Sequence, residues 1–399
     1  MTSGQRAAPH LVTLVMTAAI GPLAMNIFLP SLPGMARYFD TDYAVMQLAV
    51  SFYLGATALL QLFIGPASDR FGRRPVMLAC FGVFLVGTLA AVYAPTVEAL
   101  LACRLLQAFS SAGMVVARAV VRDTVGTAEA ASQIGYITMG MSVVPMVGPV
   151  VGGFLDELYG WQAGFWLTLA FGVVALAVVI VDLGETNRNR SESFAAQFRA
   201  YPELFGSPRF WGYALTASFT SGAFFAFIGG GPYVASEMLH LTPSQYGFYF
   251  GIISLGYMLG NFLSGRFARV MGINRMMMSG NIVAASGMVL AITLFGAGFH
   301  HPLSLFGPVF FTGVGNGLTL PSANAGMVSV KPHLAGSASG LGGAMQVGGG
   351  AALSVVAGAL LTTQSGPFPL LWVMFLSSAA AAMSTLYLIR VARRDGQDQ

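Results

Sequence analysis

The sequence predicts an all-α integral membrane protein whose twelve transmembrane helices form two similar halves of six helices each. Hydrophobic residues make up 55% of its 399 residues and charged residues only 9%, whereas soluble proteins carry about 25% charged residues. Twelve apolar runs follow one another, each of roughly the 20 residues that a helix needs to cross the hydrocarbon core of a bilayer. Most of the surface is therefore predicted to face lipid.

The twelve runs divide into two sets of six. The first six predicted helices span residues 11–33, 43–66, 75–95, 97–120, 130–155 and 161–183, and the last six span residues 210–235, 243–267, 274–298, 303–328, 334–361 and 367–391. The first run is too long for the apolar part of a signal peptide, so we predict a retained helix. The longest polar stretch separates the two sets. We predict an N-terminal half over residues 1–184, a linker over 185–209 and a C-terminal half over 210–399.

The 19 Lys and Arg residues are distributed unevenly among the connections between the runs. All but three lie before the first run, between the second and third, or in every second connection after that, counting the C-terminal end. The exceptions are Arg37, Arg104 and Arg118. Short loops rich in Lys and Arg stay on the cytoplasmic side, so we predict an inner-membrane protein with both termini in the cytoplasm. The basic residues form no stripe on one element, which argues against nucleic-acid binding.

No group of residues has the spacing of a catalytic, metal or cofactor site. The two cysteines, Cys80 and Cys103, lie in separate apolar runs without metal-ligand spacing. No nucleophile and base are placed together as an enzyme would need. We therefore predict a protein that is not an enzyme and has no metal or cofactor. A membrane receptor would need an appended signalling domain, for which the predicted termini are too short.

The connection between the second and third runs carries the strongest motif, GPASDRFGRRP from Gly65 to Pro75. Gly72 permits an unusual backbone conformation, and Asp69 can pair with an arginine or with the N-terminal dipole of a neighbouring helix. With Arg70 and Arg73, this pattern resembles the signature loop of the major facilitator superfamily. The resemblance implies the major facilitator fold, in which two six-helix halves are related by an axis along the membrane normal.

The fourth run contains Arg104, followed three residues later by Gln107. A buried arginine is expensive in lipid and must face a protein interior or a water-filled cavity. The segment resembles the helix-4 motif of the superfamily, which implies a role in the cavity or in coupling; a structural tether to carbonyls of the first helix is the alternative. Arg118 lies near the end of the same run, where it either snorkels or joins a loop-end cluster. That cluster, expected to latch the cytoplasmic side in the outward-facing state, comprises Asp69, Arg73, Arg122 and Asp123.

The fifth run contains Gly148, Pro149, Gly152 and Gly153. Small residues let helix backbones approach closely, and a proline bends a helix. The segment resembles the antiporter motif of drug-exporting members, which implies export rather than uptake. Ordinary packing through glycine is the alternative.

The first run ends with Asn26, Pro30 and Pro33. This segment resembles an Asp-x-x-x-Pro-x-x-Pro signature of twelve-helix drug–proton antiporters, except that Asn26 stands where the signature has aspartate. All 15 Asp and Glu residues fall in loops or at the ends of runs. Proton coupling is therefore implied only by the resemblance, with Asp69 and Asp123 as peripheral candidates.

Segments in the second half resemble the Bcr/CflA-type drug-resistance transporters. They are Gly222–Pro232, Ser322–Ala325 and Pro332–Ser339. The resemblance implies a monomeric exporter of bicyclomycin, chloramphenicol-like compounds or some metabolites that works by alternating access. Its expected partners are a small-molecule substrate, the proton and the bilayer.

Substrates of such transporters bind near the midplane between the halves. Polar, aromatic or methionine residues at mid-helix depth are the candidates for lining this cavity: Asn26, Tyr53, Arg104, Gln107, Tyr136, Met139, Phe224, Tyr257, Asn261, Asn316, Asn324 and Gln346. Methionine and aromatic walls adapt to varied apolar ligands, and a cavity without a carboxylate disfavours strongly cationic drugs. We expect a neutral or weakly polar amphipathic drug as the substrate, with Arg104 donating to a hydroxyl oxygen or to another atom with partial negative charge. A metabolite exporter or facilitator, for a sugar or an amino-acid derivative, is the alternative.

Overall fold

The computed structural model describes residues 9–187, 201–331, 334–362 and 364–394. Twelve long helices follow one another in this part of the chain. The first six are α1 (Leu11–Tyr38), α2 (Tyr43–Phe71), α3 (Arg73–Val92), α4 (Val97–Thr124), α5 (Thr127–Tyr159) and α6 (Gln162–Asp182). The last six are α7 (Pro208–Met238), α8 (Pro243–Met271), α9 (Ile273–Gly296), α10 (Pro302–Ser329), α11 (Ala335–Leu360) and α12 (Phe368–Arg394).

Eleven of these helices are long and apolar enough to cross a membrane, judged by length and composition among the described residues. The other, α8, has 29 residues, which corresponds to about 44 Å of helix and exceeds the roughly 30 Å hydrocarbon core. The predicted all-α membrane fold is confirmed. Several helices extend beyond the predicted spans; α2 ends at Phe71 and α5 at Tyr159, because apolarity marks the lipid-exposed part of a helix and not its polar ends.

Residues 188–200 of the predicted linker lie outside the described residues. The linker therefore stays a prediction, as do the boundaries of the two halves. Within the described chain, α6 ends at Asp182, a short helix covers Tyr201–Phe205, and α7 begins at Pro208.

The bundle has two distinct ends, which we call the linker end and the opposite end. At the linker end, the backbone N–H of His10 donates to the carboxylate of Asp182 over 2.8 Å, so the start of α1 lies beside the end of α6. Lys331, just after α10, pairs there with Glu203 over 3.0 Å. At the opposite end, Trp161 lies 5.6 Å from the ring of Phe39, and aromatic rings of this kind are typical of the membrane–water interface.

The two halves touch along α5 with α8 and along α2 with α11. On α5, Gly153 lies so close to α8 that an added methyl group would overlap the carbonyl of Pro243. Gly135 lies 18 residues earlier, which is five turns of a regular helix and so the same face, yet an added methyl group there meets nothing within 4 Å. Gly265, 18 residues after Gly247 on α8, is equally open. Along α5 and α8 the halves are therefore in contact at the opposite end and apart toward the linker end.

Candidate functional site

Arg104 of α4 is fully buried and ties together the first, second and fourth helices. Its Nε donates to the carbonyl of Ala49 over 3.0 Å, and its Nη1 donates to the carbonyl of Ala24 over 3.1 Å. The guanidinium carbon lies 4.2 Å from the ring centre of Phe28 and 4.5 Å from that of Tyr53. Cation–π contacts of this kind stabilise a desolvated arginine. The tether that the sequence left as an alternative is therefore present in this conformation.

Gln107, one turn after Arg104, extends the same network to α3. Its Oε1 accepts from Arg104, and its Nε2 donates to Thr88 over 3.1 Å. The Nη2 of Arg104 is buried without a hydrogen-bond partner among the described residues. A guanidinium offers five N–H donors, so donor capacity remains for a ligand. Because Arg104 is fully buried in this conformation, a ligand would reach it only after a rearrangement of its surroundings, and the predicted substrate contact stays a prediction.

Asn26, where the antiporter signature has aspartate, lies at the contact between α1 and α5. It is 3% exposed, and its Nδ2 donates to the carbonyl of Pro22 over 2.8 Å. Its Oδ1 has no hydrogen-bond partner in the described chain, and a methyl group on Gly148 would lie 3.5 Å from its Cβ. Burying an unpaired amide oxygen costs much less than burying an unpaired carboxylate. The site is therefore compatible with asparagine in its present packing.

The second half holds a buried polar network that the sequence analysis did not single out. Asn281 of α9 is 1% exposed; its Oδ1 accepts from Thr220 of α7 over 3.0 Å, and its Nδ2 donates to Thr385 of α12 over 3.0 Å. Thr319 of α10 donates to the same Oδ1 over 3.3 Å. Four helices meet at this amide. The signal was available, because a polar side chain inside a transmembrane run is rarely without a role.

The other predicted cavity residues of the second half occupy different environments. Asn316 is 3% exposed, and its Oδ1 has no partner among the described residues. Gln346 of α11 donates to the Ser221 hydroxyl of α7 over 2.8 Å. Asn261 donates to the carbonyl of Tyr257 one turn earlier, over 2.9 Å. Of these side chains, Asn316 is buried, Gln346 is half-buried and joins α11 to α7, and Asn261 bonds within α8.

Three predicted residues lie on more exposed surface, and one lies in an aromatic cluster. Tyr136 and Met139 are 52% and 61% exposed, and Tyr136 shares its face of α5 with the exposed Val143. Asn324 is exposed. The ring of Phe224 lies 6.3 Å from that of Phe250, which belongs to a group of aromatic rings on α7, α8 and α10. By burial, the predicted cavity set therefore includes buried residues such as Arg104 and Asn316, half-buried residues such as Gln346, and the exposed Tyr136, Met139 and Asn324.

The motif loop between α2 and α3 forms a compact ionic cluster at the linker end. Arg73 is 7% exposed; it forms an ion pair with Asp69, and its Nε donates to Asp123 of α4 over 2.8 Å. Its Nη1 donates to Ser68 over 2.7 Å. Gly72 has a φ of 107°, a backbone conformation that residues other than glycine rarely adopt.

The segment after α6 forms hydrogen bonds with this cluster. The carboxylate of Glu185 accepts from the backbone N–H of Arg73 over 2.9 Å, and a methyl group on Gly72 would overlap it. Asn187 donates to the carbonyl of Asp69 over 2.7 Å. These partners belong to the first half or to the start of the predicted linker, so in this conformation the cluster ties the helices of the first half to the segment that follows α6.

The predicted loop-end cluster is smaller than the sequence suggested. Arg118 and Arg122 form no ion pair with it among the described residues, and the Nε of Arg118 is buried without a partner there. Arg70 lies outside the cluster, with its guanidinium 5.5 Å from the ring of Phe71. Gly65 faces open space, since a methyl group there would meet nothing within 4 Å.

The glycines of the α5 motif serve two different contacts. A methyl group on Gly152 would overlap the carbonyl of Ile27 in α1, and one on Gly153 would overlap the carbonyl of Pro243 in α8. Neighbouring residues of one helix therefore pack against its own half and against the other half. Pro149, one turn earlier, presents its carbonyl to Gly247 of α8.

Polar contacts between the halves close the opposite end. Arg37 donates to the carboxylate of Glu237 over 2.9 Å, and Tyr43 donates to the carbonyl of Gly229 over 2.6 Å. A cavity of about 240 Å³ remains between the halves, with Asp156 and Arg37 among its lining residues. The sequence analysis did not predict these contacts, because it does not show which residues of the two halves face each other.

The fold and these motifs agree with a comparison against known families. The sequence profile of the Major Facilitator Superfamily matches residues 14–352 and again residues 230–398. The chain belongs to the Major Facilitator Superfamily. Its members are membrane carriers, which agrees with the expectation that it is a transporter.

Curated relatives match over nearly the full chain. The bicyclomycin resistance protein homolog of Haemophilus influenzae is 28% identical, with 94% of each chain covered. Multidrug resistance protein D of Escherichia coli is also 28% identical, with 92% of this chain and 93% of the relative covered. The solved structure of the nucleoside transporter NupG superposes with a TM-score of 0.72 over 95% of this chain and 98% of that one, at 14% identity. At that identity the likeness shows the fold alone.

Proposed function

We propose that this chain is a secondary active efflux transporter that exports small neutral or weakly polar amphipathic drugs, of the phenicol or bicyclomycin type, in exchange for protons. The relatives named for bicyclomycin and multidrug resistance support export of drugs. The antiporter-type glycines of α5 support it as well, since Gly152 and Gly153 are required for close packing within and between the halves.

One observation carries the choice of substrate class. Among the described residues, the polar groups buried in the middle of the membrane helices are amides and hydroxyls together with the single cation of Arg104. A desolvated organic cation would find no carboxylate there and would be repelled by Arg104. A neutral molecule that offers hydroxyl or amide donors and a polarised oxygen would instead find partners such as the free oxygen of Asn316 and the free Nη2 of Arg104.

We place the linker end in the cytoplasm of the cell, with both termini there and the chain in the inner membrane as a monomer. The uneven distribution of Lys and Arg supports this orientation. The parting of Gly135 from α8 at the linker end then opens the pathway toward the cytoplasm, where an exporter takes up its substrate.

Proton exchange in this proposal uses carboxylates at helix ends. Asp69 and Asp123 are the candidates, and both contact Arg73. Arg73 of α3 pairs with Asp69 of α2 and with Asp123 of α4. Protonation of either carboxylate would remove the negative charge of one of these two ion pairs. A shift in proton occupancy can therefore change how these helices are held together at the linker end.

A growth-inhibition panel in an efflux-deficient host tests the proposed substrate class. Expression of the wild-type chain should raise resistance to chloramphenicol or bicyclomycin and leave sensitivity to quaternary ammonium compounds unchanged. Arg104→Ala, compared with the wild type at matched membrane abundance, should lose that resistance if Arg104 contacts the substrate. Efficient resistance to quaternary ammonium compounds with no effect on the neutral drugs would refute the assignment, and resistance to neither class would favour the metabolite exporter.

A further inference from the structure

Gln47 is a buried amide at the junction of the two halves. It lies in α2 between a first turn, Tyr43–Met46, and the main helical segment, Leu48–Phe71. Its side chain is 1% exposed, although it lies only about one turn from the opposite end of the bundle. An amide buried at this point has to find its hydrogen-bond partners in protein.

The amide nitrogen of Gln47 crosses from the first half to the second. Its Nε2 donates to the carbonyl of Ser354 in α11 over 2.9 Å and to the hydroxyl of the same residue over 2.6 Å. It also contacts the hydroxyl of Ser51 within α2 over 2.8 Å. Because a backbone carbonyl only accepts hydrogen bonds, the orientation of the Gln47 amide is fixed by this contact.

Two glycines make room for this side chain. A methyl group on Gly358 of α11 would lie 2.5 Å from Oε1 of Gln47, and one on Gly229 of α7 would lie 2.7 Å from Nε2. Both distances are shorter than van der Waals contact permits. We call the site formed by Gly229, Ser354 and Gly358 the Gln47 socket; it accepts the amide only because two of its three members lack a side chain.

The other polar atom of the amide has no partner. Oε1 of Gln47 is buried without a hydrogen bond among the described residues. A buried acceptor without a hydrogen bond destabilises the closed junction, and this penalty disappears when the junction opens and water binds the acceptor. The hydrogen bonds of Nε2 therefore stabilise the closed junction, whereas the unpaired Oε1 destabilises it. The contact is specific, and its net stabilisation is small enough for the junction to open.

A second contact supports the same junction. Tyr43, one turn before Gln47, donates to the carbonyl of Gly229, a member of the socket. The Arg37–Glu237 pair at the same end is different in kind, because the Arg37 side chain is 66% exposed. Exposed ion pairs contribute little to stability and are screened by salt. We therefore expect the buried Gln47 contact to stabilise the closed junction more than the Arg37–Glu237 pair does.

We propose that Gln47 is the latch of the opposite end: its amide, seated in the Gln47 socket, holds that end closed and sets how often it opens. The proposal rests on alternating access between the halves and not on which substrate is carried. It assigns to Gln47, Gly229, Ser354 and Gly358 a role in the transport cycle that the sequence analysis did not give them.

The test measures opening of the junction without substrate. Ser31, which is 2% exposed and lies in a turn of α1 that contacts α7 and α8, is changed to cysteine in a Cys80→Ser and Cys103→Ser background. The rate of its reaction with a maleimide is then measured in purified protein in lipid nanodiscs, where both ends are accessible. Gln47→Leu, which keeps the size but removes the donor, should raise the labelling rate about fivefold or more, since about 1 kcal/mol of lost hydrogen bonding corresponds to that ratio.

Filling the socket should have the same effect as removing the donor. Gly358→Ala should raise the labelling rate to a similar extent, because its methyl group displaces the amide of Gln47. Gly336→Ala is the matched control on the same helix, since a methyl group there meets nothing within 4 Å. It should leave the labelling rate unchanged.

Gln47→Glu separates a latch from a merely structural side chain. A carboxylate cannot donate to the Ser354 carbonyl, whereas a protonated carboxylic acid can donate one hydrogen bond. Because only the thiolate form of the reporter reacts with maleimide, each rate is divided by that of the wild-type background at the same pH. This relative rate should be high for Gln47→Glu at alkaline pH and approach one at acidic pH, while that of Gln47→Leu stays high throughout.

Unchanged labelling in both Gln47→Leu and Gly358→Ala, with monodisperse folded protein, would overturn the proposal. If Gln47→Leu does not fold, the pH profile of Gln47→Glu decides, and a flat profile at the wild-type rate would overturn the latch equally. Because no drug is present, this outcome is independent of the resistance panel: a wrong substrate class would leave the labelling result intact.

Discussion

Gly153 of α5 and Gly247 of α8 each lie directly against the other's helix. A methyl group on Gly153 would overlap the carbonyl of Pro243, and one on Gly247 would overlap the carbonyl of Pro149. In lipid, close approach of backbones replaces the hydrophobic driving force as a source of helix association. This reciprocal contact is one place where the halves meet without side chains between them, so we expect it to act as a pivot.

Gly153→Ala is therefore predicted to impair transport through strain at the contact between the halves. Overpacking of this kind costs about 1–3 kcal/mol, so the initial transport rate should fall about fivefold or more. Gly148→Ala on the same helix is the control, because its methyl group would lie 3.5 Å or more from its neighbours. Equal rates for the two variants would show that the helices separate easily at this point.

Arg104 provides a second prediction, about stability. Arg104→Ala removes the donors to the carbonyls of Ala24 and Ala49 and leaves both carbonyls buried. Hydrogen bonds to a charged group are worth about 1.5–3 kcal/mol each, so the melting temperature in detergent should drop clearly. Arg70→Ala, which removes an arginine in contact with Phe71 at the linker end, should leave the melting temperature nearly unchanged. A stable Arg104→Ala protein would show that the tether contributes little.

Gly72 provides a third prediction. Its φ of 107° and its contact with Glu185 both disfavour a side chain, and a residue forced into such a conformation costs about 1–3 kcal/mol. Gly72→Ala should therefore lower the amount of folded protein in the membrane, measured by fluorescence-detected size exclusion. Gly65→Ala in the same motif has open space and should be tolerated; similar losses for both variants would contradict the account of this loop.

Asn281 provides a fourth prediction. Asn281→Leu deprives Thr220, Thr319 and Thr385 of their shared partner. Hydrogen bonds between membrane helices average about 0.6 kcal/mol, so the three together predict a loss of about 2 kcal/mol in unfolding free energy. Asn324→Leu, at an exposed position on α10, is the comparison. The measurement is the denaturant midpoint in mixed micelles, and identical midpoints would argue against a stabilising network.

The helices and the α2–α3 loop were predictable from the sequence for physical reasons. Uninterrupted apolar runs have few alternatives to spanning a bilayer, and the acid and arginines of the loop pair locally, as Asp69 and Arg73 do. The burial of Arg104 was predictable from its cost in lipid. Its contacts could not be predicted, because the sequence does not show whether protein carbonyls or a substrate bind the guanidinium.

Other parts of the site could not be predicted because they depend on contacts between distant segments. Gln47 and Ser354 are 307 residues apart, and nothing local marks them as partners. Tyr136 was assigned to the cavity by its residue type and depth; it is half exposed, and the assignment stays a prediction. In a helix that is apolar on all sides, the sequence gives little indication of which face meets lipid and which meets protein.

The central claim is export of neutral drugs driven by a proton gradient, and transport into everted membrane vesicles tests it most directly. With an acidic vesicle interior, the wild-type chain should accumulate radiolabelled chloramphenicol or bicyclomycin, and a protonophore should abolish the accumulation. Accumulation of a quaternary ammonium compound in place of these drugs, or drug equilibration that ignores the proton gradient, would contradict the account.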